Sequence, residues 1–204
     1  MGVPQRVEAA SVLIGLDPPG WLLRHSVGVA EVAAFLVARA AARGWRVDRA
    51  LVEAAALLHD VDKALPAGDP MRAAPHGEGS AAWLTARGHG ELSGAVTAHP
   101  VTRLLDGGLD ARRMALEEGI VAYADKRVGQ RLVPMAVRFA GWQRRYPGAW
   151  SGDEGRLALG RACRLEERVC DAAGVRPDEV RRLRWVATAL AAARAARGRV
   201  SGAA

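Results

Sequence analysis

The sequence predicts an all-α fold, an orthogonal helical bundle, and three observations lead there. Alanine, leucine, valine and arginine dominate, and all but valine are strong helix formers. The period-2 alternation of β-branched and aromatic residues that marks strands is scarce. Glycine and proline fall between the apolar runs rather than inside them.

The elements follow in order. A first amphipathic segment covers about 4–14 and is broken by "GLDPPG". A long helix over 21–43 comes next, with Gly44 placed to end it. Asp48 is a candidate N-cap for the following helix, "RALVEAAALLHD". Residues 64–75, "ALPAGDPMRAAP", read as a Pro/Gly loop. Two shorter helices are expected at 77–87 and 91–99, separated by "RGHG" and closed by Pro100. A helix over 111–129 follows, then three more at about 133–145, 153–173 and 178–197, set apart by "YPGAWSGDEG" and "GVRPDE". No internal repeat is visible.

At 204 residues, half hydrophobic and a quarter charged, the chain suits one domain with a proper core. No run of eighteen apolar residues occurs, and the N-terminal "MGVPQRVEAA" has no signal-peptide pattern, so a soluble, cytoplasmic protein is expected. Cys163 and Cys170 are seven apart on one helix face, too far along it for a disulfide, and read as buried free thiols. The net charge of +7 attracts anions through a long-range field, without locating a site.

The stretch "LLHDVDKAL" (57–65) places a histidine, two aspartates and a lysine where a buried helix should finish. Ionisable groups enter a core only when paired or holding a metal. Adjacent helical residues point about 100° apart, so His59 and Asp60 can aim at one point only beside the helix end. Imidazole and carboxylate at such a point suit a divalent metal. His25 shares a face with Val29, Val32 and Leu36, and Asp125 lies between Val121 and Val128, so both point inward. A buried unpaired aspartate costs several kcal/mol. One cation satisfies all four residues together.

The order His25, His59-Asp60, Asp125, with lysine three residues after the dipeptide, resembles the HD superfamily of metal-dependent phosphohydrolases over about 20–130. The resemblance implies an HD-type core over 1–130, with 131–204 as a helical extension packed on it. Some members hold two metals and add histidines between the dipeptide and the last aspartate. His76 in "HGEGSAAWL" and His99 in "AVTAHP" match those places, and Asp60 would then bridge. His89, in a turn, is read as solvated. Iron or manganese is expected, with magnesium, nickel or cobalt as the other metals used in the family. Asp62 stands where some relatives have glycine, and is read as a supporting or solvent-facing carboxylate.

Lys63 and Lys126 are the only lysines in an arginine-rich chain, and each lies beside an expected ligand. Lys63 matches the lysine of "HDxxK" that helps hold phosphate in the family. Lys126 and Arg127 are expected as further substrate contacts, Lys126 alternatively as the partner of Glu117 or Glu118. The resemblance implies hydrolysis of a phosphate ester or anhydride by a metal-activated hydroxide, with Asp60 and Lys63 as the catalytic pair. "DKRVGQR" departs from the "IEPxR"-type stretch of the group that cleaves diadenosine tetraphosphate. Nucleoside monophosphates, cyclic nucleotides and dinucleoside polyphosphates all stay open.

In "RFAGWQRRYPGAW", arginines interleave with aromatics as in nucleic-acid binders. The spacing of Phe139, Trp142 and Tyr146 instead favours one core-facing helix stripe. The expected partner is a phosphorylated small molecule in preference to nucleic acid or a membrane. The alternative function is a non-catalytic, metal-containing helical module that binds RNA or nucleotide.

Overall fold

A computed structural model describes residues 2–106 and 114–201, and within them the fold is all-helical. Three helices form its centre. Helix α1 (Arg6–Gly15) precedes α2 (Gly20–Ala42), α3 (Arg49–Leu58) starts at the Asp48 cap, and α2 and α3 pack along each other. Asp48 Oδ1 accepts the Leu51 amide at 3.0 Å, satisfying one of the amides a helix start leaves free. The short helices α4 (Pro70–Ala73), α5 (Glu78–Thr85) and α6 (Ser93–Ala98) lead to α7 (Leu116–Arg127), which packs on both α2 and α3.

Small side chains let these three helices approach closely. Ala33, Ala34, Ala55, Ala56, Ala122 and Ala124 are wholly buried, with Val29, Val32, Leu36, Leu58 and Val121 filling the gaps. Helix α2 is long and apolar enough to cross a membrane, yet most of it is covered by its neighbours in the fold. It also carries His25 and Glu31 inward.

The remaining helices are α8 (Met135–Arg145), α9 (Pro147–Trp150), α10 (Asp153–Ala173) and α11 (Val186–Ser201). Helix α10 lies against α2 and α7, while α11 packs on α1, so the two ends of the chain meet. Buried Glu53 of α3 takes the guanidinium groups of Arg6 and Arg49 at 2.5 and 2.8 Å, which fixes α1 on α3.

Several expected boundaries shift for physical reasons. The loop over 64–75 contains α4, one turn capped by Asp69 and opened by Pro70. The helix expected over 178–197 begins only at Val186. Before it, the Leu183 amide bonds the Glu31 carbonyl at 3.1 Å and Arg182 pairs with Glu31 at 2.7 Å, holding this stretch across α2 in non-helical form. The first residues of the expected 111–129 helix lie outside the described residues. Of the two thiols only Cys170 is buried, beside Tyr123, and Cys163 is exposed.

Candidate metal centre

The helix ends deliver the chemistry. After Leu58 the backbone leaves the α-helix: His59 is still helical, Asp60 turns away at φ −112° and ψ 22°, and a 3₁₀ turn over Val61–Ala64 follows. That break is what lets two adjacent side chains face one point. His25 comes from α2, Asp125 from α7, and His99 from the end of α6. His76 sits just before α5, where Gly77 takes φ +87°. A Cβ at Gly77 would lie 2.9 Å from Pro100 and 3.1 Å from the Val96 carbonyl, so glycine is what allows His76 to reach His99.

Four of the five histidines in the chain meet in two pairs. His25 Nε2 and His59 Nε2 are 3.1 Å apart, and His76 Nε2 and His99 Nε2 are 3.0 Å apart. Three of the rings turn Nδ1 to a main-chain carbonyl: His25 to Gly129, His59 to Ala56, and His99 to Val96. A carbonyl only accepts, so Nδ1 carries a proton on each of these rings, and Nε2 is the nitrogen left for a metal ion or for a proton shared with its neighbours. Two Nε2 atoms this close must have a proton or a metal ion between them.

Asp60 stands between the pairs. Its Oδ2 is 3.6 Å from His25 Nε2 and 3.4 Å from His59 Nε2, while Oδ1 is 3.4 Å from His99 and 3.5 Å from His76. Asp60 Oδ1 is buried and has no hydrogen-bond partner. Asp125 Oδ1 completes the first group, 3.2 Å from His25 and 3.8 Å from His59. An orphaned carboxylate oxygen among imidazole nitrogens is a donor set that fits metal ions: the donor atoms of His25, His59 and Asp125, of His59, Asp60 and His99, and of Asp60, Asp62 and His76 lie within 4.8 Å of one another in each group.

The electrostatics agree. Burial pushes the Asp60 carboxyl up, but His59, His99 and Lys63 outweigh it and hold the group well below the usual carboxylate range. Asp125 is likewise held down, against burial, chiefly by His25. Burial takes His99 down to about 4 despite Asp60, so this ring is neutral and ready to donate its lone pair.

Supporting contacts explain Asp62, which is buried rather than solvent-facing. Its Oδ1 accepts the Ser80 hydroxyl at 2.8 Å, and Oδ2 lies 3.8 Å from His76 Nδ1, the nitrogen turned away from Asp60. A carboxylate at that position orients the ring and raises its basicity. His89 stands apart from both pairs, near the Gly2 carbonyl.

The first pair opens onto a cavity of about 610 Å³, within the range of small-ligand sites. His25, Asp60 and Lys63 form its floor, and Trp21, Gly129–Arg131, Val133 and the α8 residues Val137, Arg138, Gly141, Trp142 and Arg145 form its walls, with Tyr146. Lys63 Nζ is 2.7 Å from Asp60 Oδ2 and remains partly exposed on the cavity side.

Compared with known protein families, residues 22–128 match the HD domain. The chain belongs to the HD-domain family. No curated protein and no solved structure matches it. HD domains hold divalent metals through histidine and aspartate and act as metal-dependent phosphohydrolases, and the three His/Asp groups around Asp60 and Asp125 are able to hold a metal here.

Two expected substrate contacts are turned elsewhere by this HD fold. Lys126 is fully buried, and its Nζ donates to the carbonyls of His99 (2.7 Å) and Ala122 (3.2 Å). Burial takes this ammonium down to about 8, against the pull of Asp125. It braces the His99 turn from behind. Arg127 points away from the cavity, into contacts with Tyr123, Val133, Glu166 and Pro177.

The residues that sequence reading missed are those of α8. Phe139 is core and Trp142 packs half-buried beside it, as their spacing suggested, but Trp142 and exposed Tyr146 also line the cavity. The signal was present: Arg138, Gly141, Trp142 and Arg145 recur at i, i+3, i+4 and i+7, a second helix face beside the one that Phe139 buries.

Proposed function

We propose that this HD protein hydrolyses a phosphate ester or anhydride of a nucleotide, using two divalent metal ions that share Asp60. The observation that carries the proposal is the meeting of two histidine pairs at one orphaned carboxylate beside an open cavity. His25, His59, Asp60 and Asp125 would hold one ion, and Asp60, His76 and His99 the other. The nitrogen-rich donor set favours iron or manganese over magnesium. Divalent ions there would acidify a water near neutral pH and neutralise charge on phosphoryl oxygens.

The protein's own groups do the positioning. Main-chain carbonyls fix three of the imidazoles, Asp62 orients the fourth, and Lys126 holds the carbonyl of the His99 turn. Lys63 presents a compact ammonium on the cavity floor, where a phosphate oxygen can compete with Asp60 for it. An open cavity suits an enzyme better than a closed structural site.

The test is a hydrolysis screen of nucleoside monophosphates, cyclic nucleotides, dinucleoside polyphosphates and an aryl phosphodiester. The protein would be loaded in turn with iron, manganese or magnesium. Hydrolysis that chelator abolishes and metal restores is the expected result. No turnover of any substrate, together with RNA binding that falls steeply with salt, would favour the non-catalytic module.

A further inference from the structure

Helix α8 lies wholly outside the stretch matched to the HD domain, yet it walls the cavity above the metal-binding residues. Its inward face is chemically specific. Arg138 lies over the Trp142 ring, 4.7 Å from the centroid, and its Nη1 sits against Gly129, whose carbonyl holds His25 Nδ1. Arg138 Nε is buried and makes no hydrogen bond. Arg145 lies 5.4 Å from the centroid of the Tyr146 ring. Arg131 is the third guanidinium on the cavity wall.

None of the ion pairs among the described residues involves Arg131, Arg138 or Arg145. Arg6, Arg49, Arg127 and Arg182 have acidic partners, and what marks Arg131, Arg138 and Arg145 among the other arginines is that they share the cavity over His25 and Asp60. Trp21, Val137 and Tyr146, three of the six large hydrophobic side chains exposed among the described residues, gather at the same cavity. Gln130 binds the Trp21 carbonyl at 3.1 Å and so steadies that rim. Unpaired guanidinium groups ask for an anion, and exposed rings beside them ask for a flat aromatic partner.

We propose that Arg138 and Arg145, assisted by Arg131, form a subsite for a phosphate beyond the one at the metals, with Trp21, Trp142 and Tyr146 as the stacking surface for a base. The preferred substrate is then a nucleoside diphosphate or larger polyphosphate rather than a simple monoester. The inference rests on the hydrolase reading for its floor and on α8 for its walls.

Equilibrium binding tests it without turnover. The probes are α,β-methylene ADP, methylenediphosphonate and adenosine, titrated calorimetrically into protein of measured metal content. The nucleotide analogue is expected to bind at least about tenfold more tightly than the diphosphonate, the margin that one stacked base supplies. Arg138→Gln with Arg145→Gln should weaken both phosphorylated probes at unchanged metal content. Tyr146→Ala with Trp21→Ala should weaken the nucleotide alone.

A Cβ added at Gly141 meets nothing within 4 Å, so a side chain there starts in open space on the cavity wall, and Gly141→Phe should abolish nucleotide binding at unchanged melting temperature. Equal affinity for nucleotide and diphosphonate, or binding that the arginine and Gly141 variants leave intact, overturns the subsite. So does tighter binding of a short RNA than of the nucleotide. If metal-dependent hydrolysis of an aryl phosphodiester persists while this selectivity is absent, the subsite fails and the hydrolase stands. Selective binding without any hydrolysis means the reverse.

Discussion

Replacing Asp60 by alanine is expected to empty both metal positions and to lower hydrolysis about a thousandfold or more, with helical content unchanged. The magnitude follows from the several kcal/mol of charge stabilisation that metal ions supply, at about 1.4 kcal/mol per tenfold. The breadth of the loss follows from geometry, because each oxygen of Asp60 faces a different histidine pair. The fold should tolerate the change. Lys63, the cation left behind, is partly exposed and can turn to water. His76→Ala is the informative contrast: this ring is 40% exposed at the edge of the second group, and its loss should remove one metal and leave the other. Elemental analysis and circular dichroism on both variants provide the check. An Asp60→Ala protein that keeps two metals contradicts the shared-carboxylate arrangement.

Arg127→Ala is expected to lower stability by about 3–5 kcal/mol, the range for breaking a buried charged network. Its Nε donates to the Val133 carbonyl at 2.7 Å and Nη2 to the Pro177 carbonyl at 3.1 Å. Nη1 reaches the Tyr123 hydroxyl and lies 3.1 Å from Glu166, which also accepts the Tyr123 proton at 2.7 Å. One guanidinium therefore joins the end of α7 to the approach to α8, to α10 and to the turn at Pro177–Glu179. Its removal strands two carbonyls, leaves Glu166 with the Tyr123 hydroxyl alone, and frees the start of the helix that walls the cavity. Arg127→Lys should recover little, because an ammonium cannot donate in all those directions from one plane. Denaturant unfolding measures the effect. A loss below about 1 kcal/mol, the scale of an exposed ion pair, would contradict this role.

The centre of the fold was legible because its signals are local. Asp48, the break after Leu58 and the apolar stripe around His25 each act within a turn or two of helix. The grouping of His76 and His99 with them came through family resemblance, since no spacing rule brings residues 23 apart onto one carboxylate. Direction of long side chains was not legible. Lys126 and Arg127 follow a ligand in sequence, yet a flexible stem lets a charged head reach inward to carbonyls as easily as outward to substrate. In α8 the periodicity of Phe139, Trp142 and Tyr146 suggested a buried stripe. The face starting at Arg138 has the same period, and only the packing of α8 decides which face meets the core. The late start of α11 has a similar cause: two contacts with Glu31, about 150 residues away, override local helix propensity.

The most direct measurement is metal content per chain, on protein purified anaerobically without chelator or affinity tag. Two transition-metal ions per chain are the expected result, falling to none in Asp60→Ala. No metal, even after reconstitution with iron, manganese or nickel, would contradict the metal centre and leave the histidine pairs as structural groups.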